Sequence, residues 1–154
     1  AEGEKVLPSL DHQQDARQNT AWFKGAVPSD RSVAYLYCGR IGDGVPVLRF
    51  VVRYLGPSPI NLQSCSVSVS GRDLGTFAPT KISTDRLPSG NAMEVADIPF
   101  DAVRPMVLAI LGEKSAEIGL LGANGRAQIR LDETQINEMR KVLAAYEYLN
   151  ARSQ

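Results

Sequence analysis

Two alternating segments constrain this chain more than any other feature. In Val47–Leu55 (VLRFVVRYL), Leu48, Phe50, Val52 and Tyr54 fall on one side while Arg49 and Arg53 fall on the other. That period of two is the pattern of a half-buried strand. Leu62–Val69 (LQSCSVSV) repeats it, with Cys65, Val67 and Val69 opposite Ser64, Ser66 and Ser68. A one-residue slip would push serines into the core, so the register is strongly specified. The intervening Gly56-Pro57-Ser58-Pro59 break predicts that the two segments turn back on each other as an antiparallel ribbon, apolar beneath and hydrophilic above. Arg49, Arg53, Ser64 and Ser66 would then share one polar surface.

The remaining elements fall around this ribbon. Residues 1–20 are polar, with hardly any apolar face from Pro8 to Thr20, and read as an N-terminal arm that is mobile or a frayed helix. Residues 21–150 form a single domain. Ala21–Phe23 and Val33–Cys38 predict a hairpin, with Trp22 as a core plug, and Gly42-Asp43-Gly44 predicts a turn. Short strands follow near Thr76–Phe77 and Lys81–Thr84, and Met93–Ile98 alternates as another. Phe100–Leu111 suits a buried helix with Asp101 as its N-cap, Pro105 in its opening turn and Gly112 at its end. Asn124-Gly125 between two apolar runs signals a second hairpin. The last helix opens with a capping box, Asp132 and Gln135. Ile136, Met139, Leu143 and Tyr146 then recur at helical spacing, and the stripe must pack on the sheet. The fold class is α+β: a mainly antiparallel sheet, strand-rich over the N-terminal two thirds, packed by one internal helix and a C-terminal amphipathic helix.

Composition narrows the partners. The 154 residues suit one domain. Basic and acidic residues both number 17, so no net field draws in nucleic acid or an anionic membrane. No apolar run is long enough to span a bilayer. The start at Ala1-Glu2-Gly3-Glu4-Lys5 without an initiator methionine resembles what signal-peptide removal leaves, although a trimmed chain would look the same. The expected location is therefore periplasmic or secreted. There, the only two cysteines, Cys38 and Cys65, could pair, stabilising the fold by about 3.5 kcal/mol. In a reducing compartment they would be two small core residues.

The order of landmarks from Val47 onward carries a resemblance. It runs through an LRFVVRY strand, a serine-valine strand ending in Gly71, a strand before Ile98-Pro99, a helix ending AILG, a hairpin through Gly122 and a helix ending VLAAYEYL. This resembles a small β-rich accessory domain of uncharacterised bacterial envelope and secreted proteins, often found after a membrane anchor or a zinc-ribbon segment. The resemblance implies no activity.

Catalytic signatures are missing. His12 is the sole histidine and falls in the arm, which argues against a multi-histidine zinc site or a Ser-His-Asp triad on a rigid scaffold. No metal and no cofactor is expected. Glu94, Asp97 and Asp101 lie close in sequence, and paired acids can cleave glycosidic bonds. Alternation nevertheless puts Glu94 and Asp97 on opposite faces, in the ordinary roles of a solvated strand position and a loop or cap residue. The candidate binding residues are Arg49, Arg53, Ser64 and Ser66, an arginine-rich surface able to bind carboxylates of a partner. The competing reading is that the arginines pair within the chain. The functional expectation is a non-enzymatic exported domain that binds another protein, as an envelope assembly component or a toxin-neutralising inhibitor. The alternatives are a carboxylate-dependent hydrolase and a small-molecule or lipid carrier with an apolar cavity between sheet and helices.

Overall fold

A computed structural model describes residues 2–17 and 19–152. Ala1 and Gln18, both part of the expected arm, lie outside the described residues. The described residues form two antiparallel sheets and three α-helices, an α+β fold dominated by antiparallel β-structure. The first sheet has six strands in the order β1 (Asp11–Asp15), β2 (Thr20–Lys24), β3 (Val33–Ile41), β4 (Val47–Gly56), β8 (Ala92–Pro99), β7 (Ile82–Arg86). The second has four, in the order β10 (Gly125–Leu131), β9 (Ala116–Gly122), β5 (Leu62–Val69), β6 (Arg72–Phe77).

The two alternating segments are both strands, but they do not pair with each other. β4 lies between β3 and β8, and β5 lies between β9 and β6. The break between them is a crossover from one sheet to the other, and five hydrogen bonds hold it. Tyr54 donates its hydroxyl to Ser58 O at 2.7 Å, and the β9–β10 turn donates Ala123 N to Asn61 O and Asn124 N to Ile60 O. From the other side, Glu94 of β8 accepts Ile60 N and Leu62 N at 2.7 and 2.8 Å. Alternation identified each strand and its buried face; it carries no information about which strand lies alongside.

Both sheets share one core. Leu36, Cys38, Phe50, Val52 and Ile98 from the six-stranded sheet join Cys65, Val67, Ile118 and Ile129 from the other. Phe50 and Phe77 meet across it, ring centroids 6.2 Å apart and edge-on. The cysteines belong to this core as free, buried thiols on different sheets, so the expected disulfide is corrected. Burial raises each thiol from 9.0 to about 12.

Helix α3 (Glu133–Arg152) buries Ile136, Met139, Val142, Ala145 and Leu149 and, among the strands, packs chiefly against β3. Its capping box forms in both directions, Gln135 N to Asp132 Oδ1 at 2.8 Å and Asp132 N to Gln135 Oε1 at 2.9 Å. Helix α2 (Arg104–Leu111) is shorter than expected, because Phe100–Ala102 is a 3-10 turn. Asp101 caps nothing and pairs instead with Arg104 at 2.8 Å. At the other end of α2, Arg140 of α3 donates to Leu111 O and Glu113 O at 2.7 and 3.0 Å, satisfying carbonyls that a helix end leaves open. Helix α1 (Glu2–Val6) packs on α3.

The stretch expected to be a mobile arm or frayed helix contains β1, whose five residues pair with β2. All five are exposed, so backbone hydrogen bonds recruit this strand and side-chain burial does not. A polar, charged edge strand also discourages pairing with other chains.

Candidate functional site

Residues paired across an antiparallel ladder point to the same side, so the register defines the outer face of the six-stranded sheet. One row runs Lys24, Tyr37, Arg49, Pro99, the next Trp22, Gly39, Val47, and a third Tyr35, Val51, Asp97. The sheet's other side faces the core, so this face gathers three of the chain's aromatic residues with the candidate arginines.

Asp97 is its electrostatic centre. Arg49 donates Nε to Asp97 Oδ1 at 2.8 Å and Nη2 to Asp97 O at 3.0 Å, while the Tyr37 hydroxyl donates to Oδ2 at 2.6 Å. Burial first, then the hydrogen bond to Asp97, pushes the Tyr37 phenol well above 10.0. The same carboxylate raises Arg49. Burial also raises Tyr35, against the opposing charge of Arg53. Val51 lies on this face yet is 2% exposed, so the side chains around it close into a packed layer.

The two arginines therefore have different tasks. Arg49 pairs within the chain while keeping part of its surface open. Arg53 donates Nη2 to Pro28 O and to Arg31 O, stapling the β2–β3 connection to the sheet, and its Nε is buried without a partner.

Trp22, expected to plug the core, is a partly exposed residue of the outer face. Its indole lies against the backbone of Gly39, where an added Cβ would meet Cε3 at 2.3 Å, and its edge meets the Tyr37 ring at 5.5 Å. Lys24 holds Nζ 6.0 Å from the Tyr35 ring centroid. These side chains, with Asp11 and Gln13 of β1, line a groove of about 520 Å³.

The face continues into the β3–β4 turn, where Ile41, Val45 and Val47 are 66%, 71% and 46% exposed. Gly42 N donates to Asn19 O and Gly44 N to Ile41 O, so a hydrogen-bonded turn displays these apolar groups in fixed positions. Gly42 takes φ +56° there, a backbone angle that favours glycine.

Ser64 and Ser66 are elsewhere. They line a shallow trough with Gly119, Leu121 and Arg126 on the outer face of the four-stranded sheet, so the surface expected to join them to Arg49 and Arg53 does not form. Glu94 and Asp97 do fall on opposite faces of β8. Glu94, expected to be solvated, is 1% exposed and holds the crossover. His12, placed on β1, stacks on Phe23 at 4.6 Å. Among the described residues, no group of three or more His, Cys, Asp or Glu side chains is placed to hold a metal ion, and no helix is long and apolar enough to cross a membrane. The space between α3 and β3, lined by Val33, Leu36 and Met139, is about 10 Å³, room for about one water.

Sequence reasoning missed the apolar turn and the tyrosines. The signal was present for Tyr35 and Tyr37, which alternate with Leu36 and Cys38; the exposure of Val45 and Val47 has no sequence signature. No family model, curated protein or solved structure matches the chain.

Proposed function

We propose that this chain is a non-catalytic binding module, exported by a bacterium, that docks another protein on the outer face of its six-stranded sheet. The observation that carries the reading is the continuity of Ile41, Val45 and Val47 with Tyr37 and Arg49 on one face. Exposed apolar groups rimmed by polar ones mark interaction surfaces. Tyrosine, tryptophan and arginine are also the residues that dominate binding energy at protein interfaces. Arg49 is held in place by Asp97 before any partner arrives, so less side-chain entropy is lost on docking. The face carries both signs of charge, Arg49 beside Asp97 and Lys24 paired in register with Asp11.

Site-specific photo-crosslinking in cells tests this. A photoreactive residue at Val45 should give one discrete protein adduct that the same residue at Gln128, on the other sheet, does not give. Equal adducts at both positions, or none at Val45, would contradict the reading.

A further inference from the structure

The groove at the β1–β2–β3 end of the outer face has a chemistry of its own. Its volume of about 520 Å³ falls within the span of small-ligand sites, roughly 300–1,000 Å³. The Trp22 indole rests on the Gly39 backbone and lines the groove. Gly39 is buried, and any larger residue there would lift the ring off the sheet.

The polar lining is balanced. Asp11 and Lys24 are register partners across β1 and β2, so their charges offset each other. Gln13, the register partner of Trp22, adds a planar amide beside the indole. Among the described residues, the side chains of Asp11 and Gln13 make no hydrogen bond or ion pair within the chain. Their hydrogen-bonding capacity is open to a guest. Phosphorylated ligands are disfavoured, since Lys24 is the one lysine or arginine among the described residues that line the groove and is the register partner of Asp11. Aliphatic chains are disfavoured by the polar side chains of Asp11, His12, Gln13 and Lys24 on the walls.

We propose that this groove binds a neutral saccharide, with one pyranose ring stacked on Trp22. A sugar ring presents a patch of C–H groups, slightly positive, that suits the negative face of an indole. Its hydroxyls each donate and accept, which matches a carboxylate, an amide and an ammonium placed around the same ring. The site goes beyond the protein-docking reading: it is built on β1 and β2, away from Val45, and either can fail alone.

Trp22 is the only tryptophan, so its fluorescence reports this groove and nothing else. The protein is titrated with soluble cello-, malto-, xylo- and chito-oligosaccharides, and its mobility is measured in gels containing the corresponding polysaccharides. At least one series should give a saturable emission shift and retarded migration. Gln13→Ala and Lys24→Ala should each weaken binding about fivefold, the loss of one hydrogen bond. Trp22→Phe, with an unchanged circular dichroism spectrum, should abolish retardation, and Val45→Asp should leave sugar binding intact. The proposal is overturned if folded protein shows neither shift nor retardation with any series. It is equally overturned if Gln13→Ala and Lys24→Ala bind as wild type, or if only charged peptides or nucleotides move the emission.

Discussion

Glu94 accepts the backbone N–H of Ile60 at 2.7 Å, and through its other oxygen that of Leu62 at 2.8 Å. A single buried carboxylate on β8 therefore fixes the point at which the chain leaves one sheet and enters the other. Removing it strands two buried amide donors, so Glu94→Ala should destabilise the fold on the order of 3 kcal/mol. Glu94→Gln retains one acceptor and should cost about 2 kcal/mol. Urea midpoints at constant slope measure both, and a neutral Glu94→Ala would remove the carboxylate from its role as clasp.

Gly39 and Trp22 give a second prediction. The Cβ of Gly39→Ala would lie 2.3 Å from the indole and 2.6 Å from Ala21 O, and neither neighbour can yield without shifting β2. A loss of roughly 1–3 kcal/mol is expected, together with red-shifted tryptophan emission as the ring lifts into water. Unchanged emission would show that the indole does not rest on that backbone.

The Tyr37 phenol reports on Asp97. Burial is the largest cause of its raised value and the hydrogen bond to Asp97 the next. In Asp97→Asn, Tyr37 and, to a smaller extent, Tyr35 should titrate earlier in ultraviolet absorbance, with burial still raising both. The Arg49–Asp97 pair is partly exposed, so a double-mutant cycle should return only about 0.5–1 kcal/mol of coupling.

Alkaline pH should weaken the fold. Cys38 and Cys65 hold their protons to about 12 in the folded protein, against 9.0 when unburied. A group whose value is raised by folding contributes stability in full below its unfolded value and loses it as pH climbs toward the folded one. Stability should therefore fall between about pH 9 and 12, in the same direction as Tyr35 and Tyr37 act above 10.0. Cys38→Ala/Cys65→Ala should flatten that decline relative to wild type, and both thiols should react with alkylating reagent only after unfolding.

Local chemistry was legible in the sequence wherever one residue's neighbours decide its structure. Asp132 and Gln135 close a capping box, Asn124-Gly125 turns a hairpin, and the alternation in 47–55 and 62–69 marks two strands with their inner faces. Partnership between strands was not legible. Nothing in Leu62–Val69 states that its neighbours are β9 and β6, because backbone ladders are alike whichever strands form them. Burial of Glu94 was hidden for the same reason: a carboxylate on an alternating strand reads as solvated until the two amides that it serves are known. β1 was missed because its side chains bury nothing. The arginine face was half read, Arg49 and Arg53 correctly on one side of β4, but with the tyrosines and apolar turn absent and serines from another sheet in their place.

The most direct test of the outer face as a docking surface is amide hydrogen exchange, measured with and without the protein captured by crosslinking at Val45. The account predicts slowed exchange in 35–49, with 62–69 and 116–130 unaffected. Protection confined to the Ser64 and Ser66 face, or absent from 35–49, would contradict it.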